Sequence, residues 1–288
     1  MGRLVLWASV LAACHSNAAT GHVDAAAGGD GSAGSPLDGP LAGPQQGCGT
    51  LPNCYSVYAH SNDTLYVVDL MAKTLARVGS FASTDTMTDL AVGPDDTIYV
   101  ISATKLYTAS PADGHVTAIG SLATCGSFNV ALTALPDGSL WTGDYSGALC
   151  QIDLSTNPPT VKPPIQMSGG LALTGDLVAV ADGTVFGTAF LPSDPPMRGT
   201  NLSNLLVTID LATGTTTQVG ATGYPRLYGT SYTGGRVVAF THDGSGRVVE
   251  VDPMTGAATP FATFSDPQTG SPISFAGAGV NAMVPIIP

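Results

Sequence analysis

Glutamate is nearly missing from this 288-residue chain: of its 21 acidic residues only Glu250 is a Glu, and the other twenty are Asp. Asp forms turns where Glu forms helices, so most of the negative charge belongs in tight turns. With 36 Gly and 21 Pro as well, the composition excludes long helices. Basic residues are equally scarce, nine Lys and Arg against those acids, for a formal net charge of −12. That excludes a nucleic-acid partner, which needs a basic footprint, and electrostatic attachment to anionic lipid. Only 10% of residues are charged, so the surface must rely on Thr, Ser and Asn. Long apolar runs are absent but for Leu4–Ala13. Ten such residues suit a signal segment and are too few to span a bilayer. No serine stands in a GxSxG elbow, no CxxCH is present, and no close CxxC pair suggests zinc.

The apolar run follows a single charge, Arg3, and ends in Leu11-Ala12-Ala13-Cys14. This resembles the bacterial lipobox, in which signal peptidase cuts before the cysteine and diacylglycerol is joined to its thiol. The resemblance implies a signal peptide over 1–13 and lipid on Cys14. The expectation is an exported protein, lipid-anchored in the bacterial cell envelope, outer membrane or periplasm-facing. From Cys14 to Gly47 almost every residue is Gly, Ala, Ser, Pro or Asp, without period. Such a segment cannot bury enough apolar surface to offset its ordering entropy, so 14–47 is predicted to be a flexible tether. Four cysteines remain, Cys48, Cys54, Cys125 and Cys150. Three connectivities are open to them, and export favours disulfides. The Gly and Pro of CGTLPNC let a short loop fold back, which assigns Cys48 to Cys54 and Cys125 to Cys150.

From Cys48 onward short apolar runs alternate with turn signals. One half-motif is a strand ending in Asp, a small turn and a Thr- or Val-rich strand: LYVVDLMAKTLARVG (65–79), LCQIDLSTNPPTVKP (149–163), LLVTIDLATGTTTQVG (205–220) and RVVEVDPMTGAATPFA (247–262). A degenerate copy, LYTASPADGHVTAIG (106–120), puts Ser110 in place of Asp. The other half-motif precedes it: LAVGPDDTIYVI (90–101), LTALPDGSLWTGD (132–144), LALTGDLVAVAD (171–182) and SYTGGRVVAF (231–240). PDD, PDG, TGD and TGG are read as turns, Pro pre-setting φ and Gly or Asp accepting awkward dihedrals. Joined, the halves give four-stranded units about every 40–45 residues, the size of a propeller blade.

The pattern resembles the PQQ-type and NHL/YVTN-type propeller repeats over roughly 55–288. It implies an all-β, five-bladed β-propeller, with six blades, an open β-solenoid or a sandwich as alternatives. Blades are expected near 87–122, 128–167, 168–222 and 227–264, with LPSDPPMRGTNLSN (191–204) as an insertion. The fifth is assembled from both ends: Cys54–Phe81 gives the outer strands and ISFAGAGVNAMVP (273–285) the inner one, with Ile273, Phe275 and Val280 buried. Closure from both termini removes exposed edges.

Propeller sites gather where loops converge at one end of the axis. In this phase that end carries 82–88, 123–129, 166–170, 222–228 and 265–273, with Asp144–Gly147 and Thr241–Gly246. GYPRLYG (223–229) is the most binding-like, since Tyr224, Arg226 and Tyr228 can stack on a sugar or accept a carboxylate. His242-Asp243 has the form of a general base with its orienting carboxylate, but HDGSG is also a turn. Asp95-Asp96 reads as a turn, and His60 and His115 stand alone. Five-bladed glycosidases need a Glu acid and lactonase-type propellers a Glu metal ligand. Glu250 instead matches Val67, Gln151 and Thr208, a solvent-facing place on an outer strand. No catalytic residue, metal or cofactor is therefore expected. The expectation is a monomeric, membrane-anchored binding module for a protein or glycan, with a hydrolase or lyase using Asp and His at the loop end as the alternative.

Overall fold

The computed structural model describes residues 50–191 and 202–283, all within the compact unit Pro44–Pro288. Apart from one 3-10 turn at Ser168–Gly170, its regular elements are strands in five antiparallel sheets. Blade 2 runs Met87–Val92, Ile98–Ser102, Lys105–Ala109 and Val116–Ser121. Blade 3 runs Asn129–Ala134, Leu140–Asp144 and Ala148–Asp153, with Thr160–Val161 and Ile165–Gln166 at its outer edge. Blade 4 runs Ala172–Ala179, Val185–Phe190, Leu205–Ile209 and Thr216–Ala221. Blade 5 runs Leu227–Thr233, Arg236–Thr241, Arg247–Val251 and Ala258–Thr263.

Blade 1 is the composite. Ser56–His60, Thr64–Asp69 and Thr74–Ser80 form its outer part, and Gly277–Gly279 supplies the inner strand, pairing Tyr58 with Gly279 and His60 with Gly277. The inner strands of blades 1, 2, 3, 4 and 5 neighbour one another in turn, and the fifth returns to the first. The fold is a five-bladed β-propeller. Ile273, Phe275 and Val280 are buried as expected, and Phe275 meets Tyr66 and Phe240 edge-on.

Burial follows from this arrangement. Inner strands are buried except for Thr88 and Tyr228, whereas outermost strands such as Val116–Ser121 and Ala258–Thr263 have no fully buried side chain. The core is divided among the gaps between blades. Ile101 and Leu106 meet Leu132 and Leu140 between blades 2 and 3. Leu149 meets Leu173 and Val207 between blades 3 and 4, and Leu206 meets Val237 between blades 4 and 5. Each such side chain contributes about 1.5–3 kcal/mol when buried, so a blade is stable only between two others.

Two expectations need correction. TGD in LALTGDLVAVAD is not a turn: Ala172–Ala179 is one strand, and its register shifts between Leu173 and Leu177. The extra residues form a bulge, and neither Gly175 nor Asp176 reaches solvent. Gly175 is needed there because a Cβ would stand 2.5 Å from the Tyr228 Cα. The outer strand predicted from PPTVKP is broken into two short pieces, since Pro163 and Pro164 offer no amide to the ladder. The expected turns at PDD, PDG and TGG do form, with Asp96, Gly138 and Gly235 all at positive φ.

Cys125 and Cys150 are joined, with 5.8 Å between their Cα atoms. Cys54 is buried, and Cys48, its assigned partner, lies outside the described residues. So do Cys14, the 1–13 leader, the tether up to residue 47 and most of the insertion at 191–204.

Candidate functional site

The inner strands of blades 2, 3, 4 and 5 each carry a register shift near the end where they begin: at Met87/Asp89, Asn129/Ala131, Leu173/Leu177 and Leu227/Gly229. A bulge re-aims a side chain. Here Thr88, Val130, Thr174 and Tyr228, joined by Ala276 of blade 1, line a cavity of about 240 Å³ at the loop end of the axis.

Aromatic rings make its walls. Tyr228 stacks on His242 with centroids 4.7 Å apart and planes 15° from parallel, and Phe128 stacks on Tyr145 at 5.4 Å and 18°. The two stacks meet where Tyr145 and Tyr228 come together, and burial, with the nearness of Tyr228 adding to it, pushes the Tyr145 phenol well above its usual range. The lining is otherwise Asn62, threonines and apolar atoms, with no Asp, Glu, Lys or Arg among the described residues.

The His242 ring is fixed by one bond, Nδ1 to the Phe275 carbonyl at 2.8 Å. A carbonyl only accepts, so Nδ1 carries the hydrogen and Nε2 keeps its lone pair. Burial lowers the His242 pKa, partly opposed by that hydrogen bond, and the ring is therefore a neutral acceptor. Asp243 does not orient it. Its Oδ1 accepts from Thr241 Oγ1 at 2.9 Å and from the Ser245 amide at 2.9 Å, so HDGSG acts as a turn.

Of the residues singled out from sequence, the structure brings Tyr228 and His242 together. Tyr224 instead packs toward the cluster between blades 4 and 5, with the Arg247 guanidinium 5.8 Å above its ring. Arg226, at φ 53°, receives the His242 amide on its carbonyl and is not among the cavity's lining residues. Glu250 pairs with Arg236 at 3.0 Å on an outer strand. Asp95 accepts the Thr97 amide and hydroxyl within its turn. His115 lies exposed beside Asp113.

One or two residues further along the inner strands lies a layer that the sequence reading missed. Asp89 of blade 2 and Asp176 of blade 4 are both fully buried and lie against each other, close enough that each acts on the other's charge. Asp89 accepts the Leu90 amide at 2.8 Å and the Leu132 amide of blade 3 at 2.6 Å. Asp176 accepts the Thr230 amide of blade 5 at 2.7 Å. Burial raises both well above the ordinary carboxylate range. His60 of blade 1 is also fully buried, and burial lowers it to about 4. A Cβ on Gly277 would stand 2.3 Å from Asp89 Oδ1 and 2.4 Å from His60 Nε2, so only glycine leaves room there. A signal was available: Thr88-Asp89-Leu90 and Thr174-Gly175-Asp176-Leu177 both set Asp early in an apolar inner strand, not at a strand end.

No family model and no curated protein matches the sequence. Among solved structures, a protein of unknown function from Bacteroides thetaiotaomicron VPI-5482 superposes with a TM-score of 0.52 at 14% identity, over 80% of this chain and 63% of that one. At that identity the likeness shows the fold alone. A protein of unknown function from Bacteroides caccae (TM-score 0.43, 10% identity, 71% of each chain) and a streptogramin B lyase (0.41, 13%, 77% of this chain and 72% of that one) align more loosely.

Proposed function

We propose that this is an exported, lipid-anchored binding protein whose propeller holds a small neutral ring ligand, the end of a glycan, in the axial cavity. The observation that carries it is the pair of ring stacks, Tyr228 on His242 and Phe128 on Tyr145, lining one uncharged cavity. Aromatic faces take the apolar face of a sugar, and the His242 Nε2, with the hydroxyls around it, answers the sugar's own hydroxyls. The volume, about 240 Å³, suits one or two rings and not a protein surface. A glycan array followed by titration calorimetry tests it. Tyr228→Ala should weaken binding of the array's best ligand at least tenfold, the equivalent of about 1.4 kcal/mol, with the fold intact. Equal affinity in the variant would remove the cavity from the account.

The anchor rests on Leu11-Ala12-Ala13-Cys14. Cys14→Ala should release soluble protein, and a variant still partitioning into detergent like the parent contradicts it. A hydrolase or lyase is the second reading, favoured by the bare, neutral His242 Nε2, which has the form of a base poised at the cavity. Turnover of ester or glycoside substrates, lost in His242→Gln while binding persists, would select that reading.

A further inference from the structure

The inner strand of a blade has no neighbour on its axial side, so its amides there need acceptors. Asp89 and Asp176 supply them. Asp89 reaches from blade 2 to Leu132 of blade 3, and Asp176 from blade 4 to Thr230 of blade 5, with the Ala278 amide of blade 1 near enough to favour its charged form. Two carboxyls thus tie blade 2 to blade 3 and blade 4 to blade 5, beside the inner strand of blade 1. They also face each other, and Asp176 Oδ1 has no donor from any other group. Two carboxylates in contact at zero exposure repel in a medium of low dielectric. One proton between them turns that repulsion into a hydrogen bond and gives Asp176 Oδ1 its partner. The other titratable group facing the pair is His60, on Ser56–His60 of blade 1; it is neutral above pH 5 and brings no compensating charge. His242 acts on His60 from further out, and burial disfavours charge on it as well.

We propose that Asp89 and Asp176 hold a single proton across the propeller axis and that this shared proton locks the five inner strands, so that the ring is tightest in mildly acidic medium and loosens as the medium turns alkaline. The sign follows from the burial of the pair. The folded state holds the proton at a pH where the unfolded chain has lost it, so stability is greatest at low pH and declines as pH rises through the folded value. The residues lining the cavity, Thr88, Thr174, Tyr228 and Ala276, stand next to this layer in each strand. The lock therefore sits directly beneath the cavity, and it holds whatever the ligand proves to be.

The two aspartates are not equivalent, which makes the test sharp. Asn at 176 keeps a carbonyl for the Thr230 amide and offers Asp89 a permanent N–H in place of the shared proton. Asn at 89 turns a donor toward one of two amides that now find oxygen. Thermal melts of the full detergent-solubilised chain from pH 5 to 9 should show the parent melting progressively lower as pH rises. Asp176→Asn should remove that slope and match or exceed the parent at pH 9, while Asp89→Asn melts lower at every pH. A parent curve that is flat over this range, or an Asp176→Asn variant that keeps the full slope, overturns the proposal. Infrared spectra of the unaltered chain decide the matter if Asp176→Asn does not fold. A protonated-carboxyl C=O band must persist at pH 7 and shift in D2O, and its absence at pH 7 refutes the shared proton.

Discussion

The rim and the axis of this propeller use the same side chain in opposite ways. At the rim, Asp153, Asp210 and Asp252 end a strand and turn their carboxylates back onto backbone amides: Ser155 at 2.9 Å, Ala212 at 2.8 Å and Met254 at 2.8 Å. The hydroxyl of Ser155, the hydroxyl of Thr213 and the amide of Met254 are the leading causes that hold these three below the usual carboxylate range. At the axis, Asp89 and Asp176 also accept amides, but burial outweighs those bonds and raises both. Place in the blade, not residue type, sets the sign of a carboxylate's effect on stability. Rim aspartates stabilise above the ordinary carboxylate pKa and lose that contribution as pH falls through their lowered values. The axial pair does the reverse, so the fold is weakened from both sides of a mildly acidic optimum.

The hardest blow to the axis is removal of Ile273–Pro288, which takes away the inner strand of blade 1 and the buried Phe275. Blades 1 and 5 then lose a shared face, and the expected outcome is loss of the cooperative melt by circular dichroism. Next comes Asp89→Ala, which strands the amides of Leu90 and Leu132. At roughly 1–3 kcal/mol for each buried amide without an acceptor, urea unfolding should show a loss of about 3 kcal/mol or more. Replacing both Cys125 and Cys150 by Ser opens a loop with a sequence separation of 25. The expected loss is about 3 kcal/mol, with the alkaline slope of the parent kept because the cystine lies away from the acid pair. Smallest is Asp252→Ala at the exposed rim. It should lower the melt slightly at pH 7, with the difference from the parent vanishing as pH falls through the lowered Asp252 value, so a large loss at neutral pH would erase the distinction between rim and axis.

Much of the fold was legible because it repeats. The strand–Asp–turn–strand motif at 69, 153, 210 and 252 sets the phase of the blades, and each of those aspartates does its work within its own turn. Local chemistry of that kind is written in adjacent residues. Tyr228 and His242 were legible as loop-end residues, but their stacking was not, since it depends on a bulge in one strand and the loop after the next. LALTGDLVAVAD misled for the same reason: Gly-Asp has one local meaning, a turn, and a second that appears only when another strand lies against it.

By itself, then, the sequence determined the all-β class and pointed to five blades over six, to the joining of the segment from Ile273 to Cys54–Phe81 and to the pairing of Cys125 with Cys150. Each follows from period, turn chemistry and the need to cover a sheet edge. Tertiary structure alone decided which aspartates are buried, which atoms Gly277 makes room for and which rings enclose the cavity. Those outcomes depend on distances between strands of different blades, such as Asp89 on blade 2 and Asp176 on blade 4. Closing the ring sets those distances, and no window of neighbouring residues contains them.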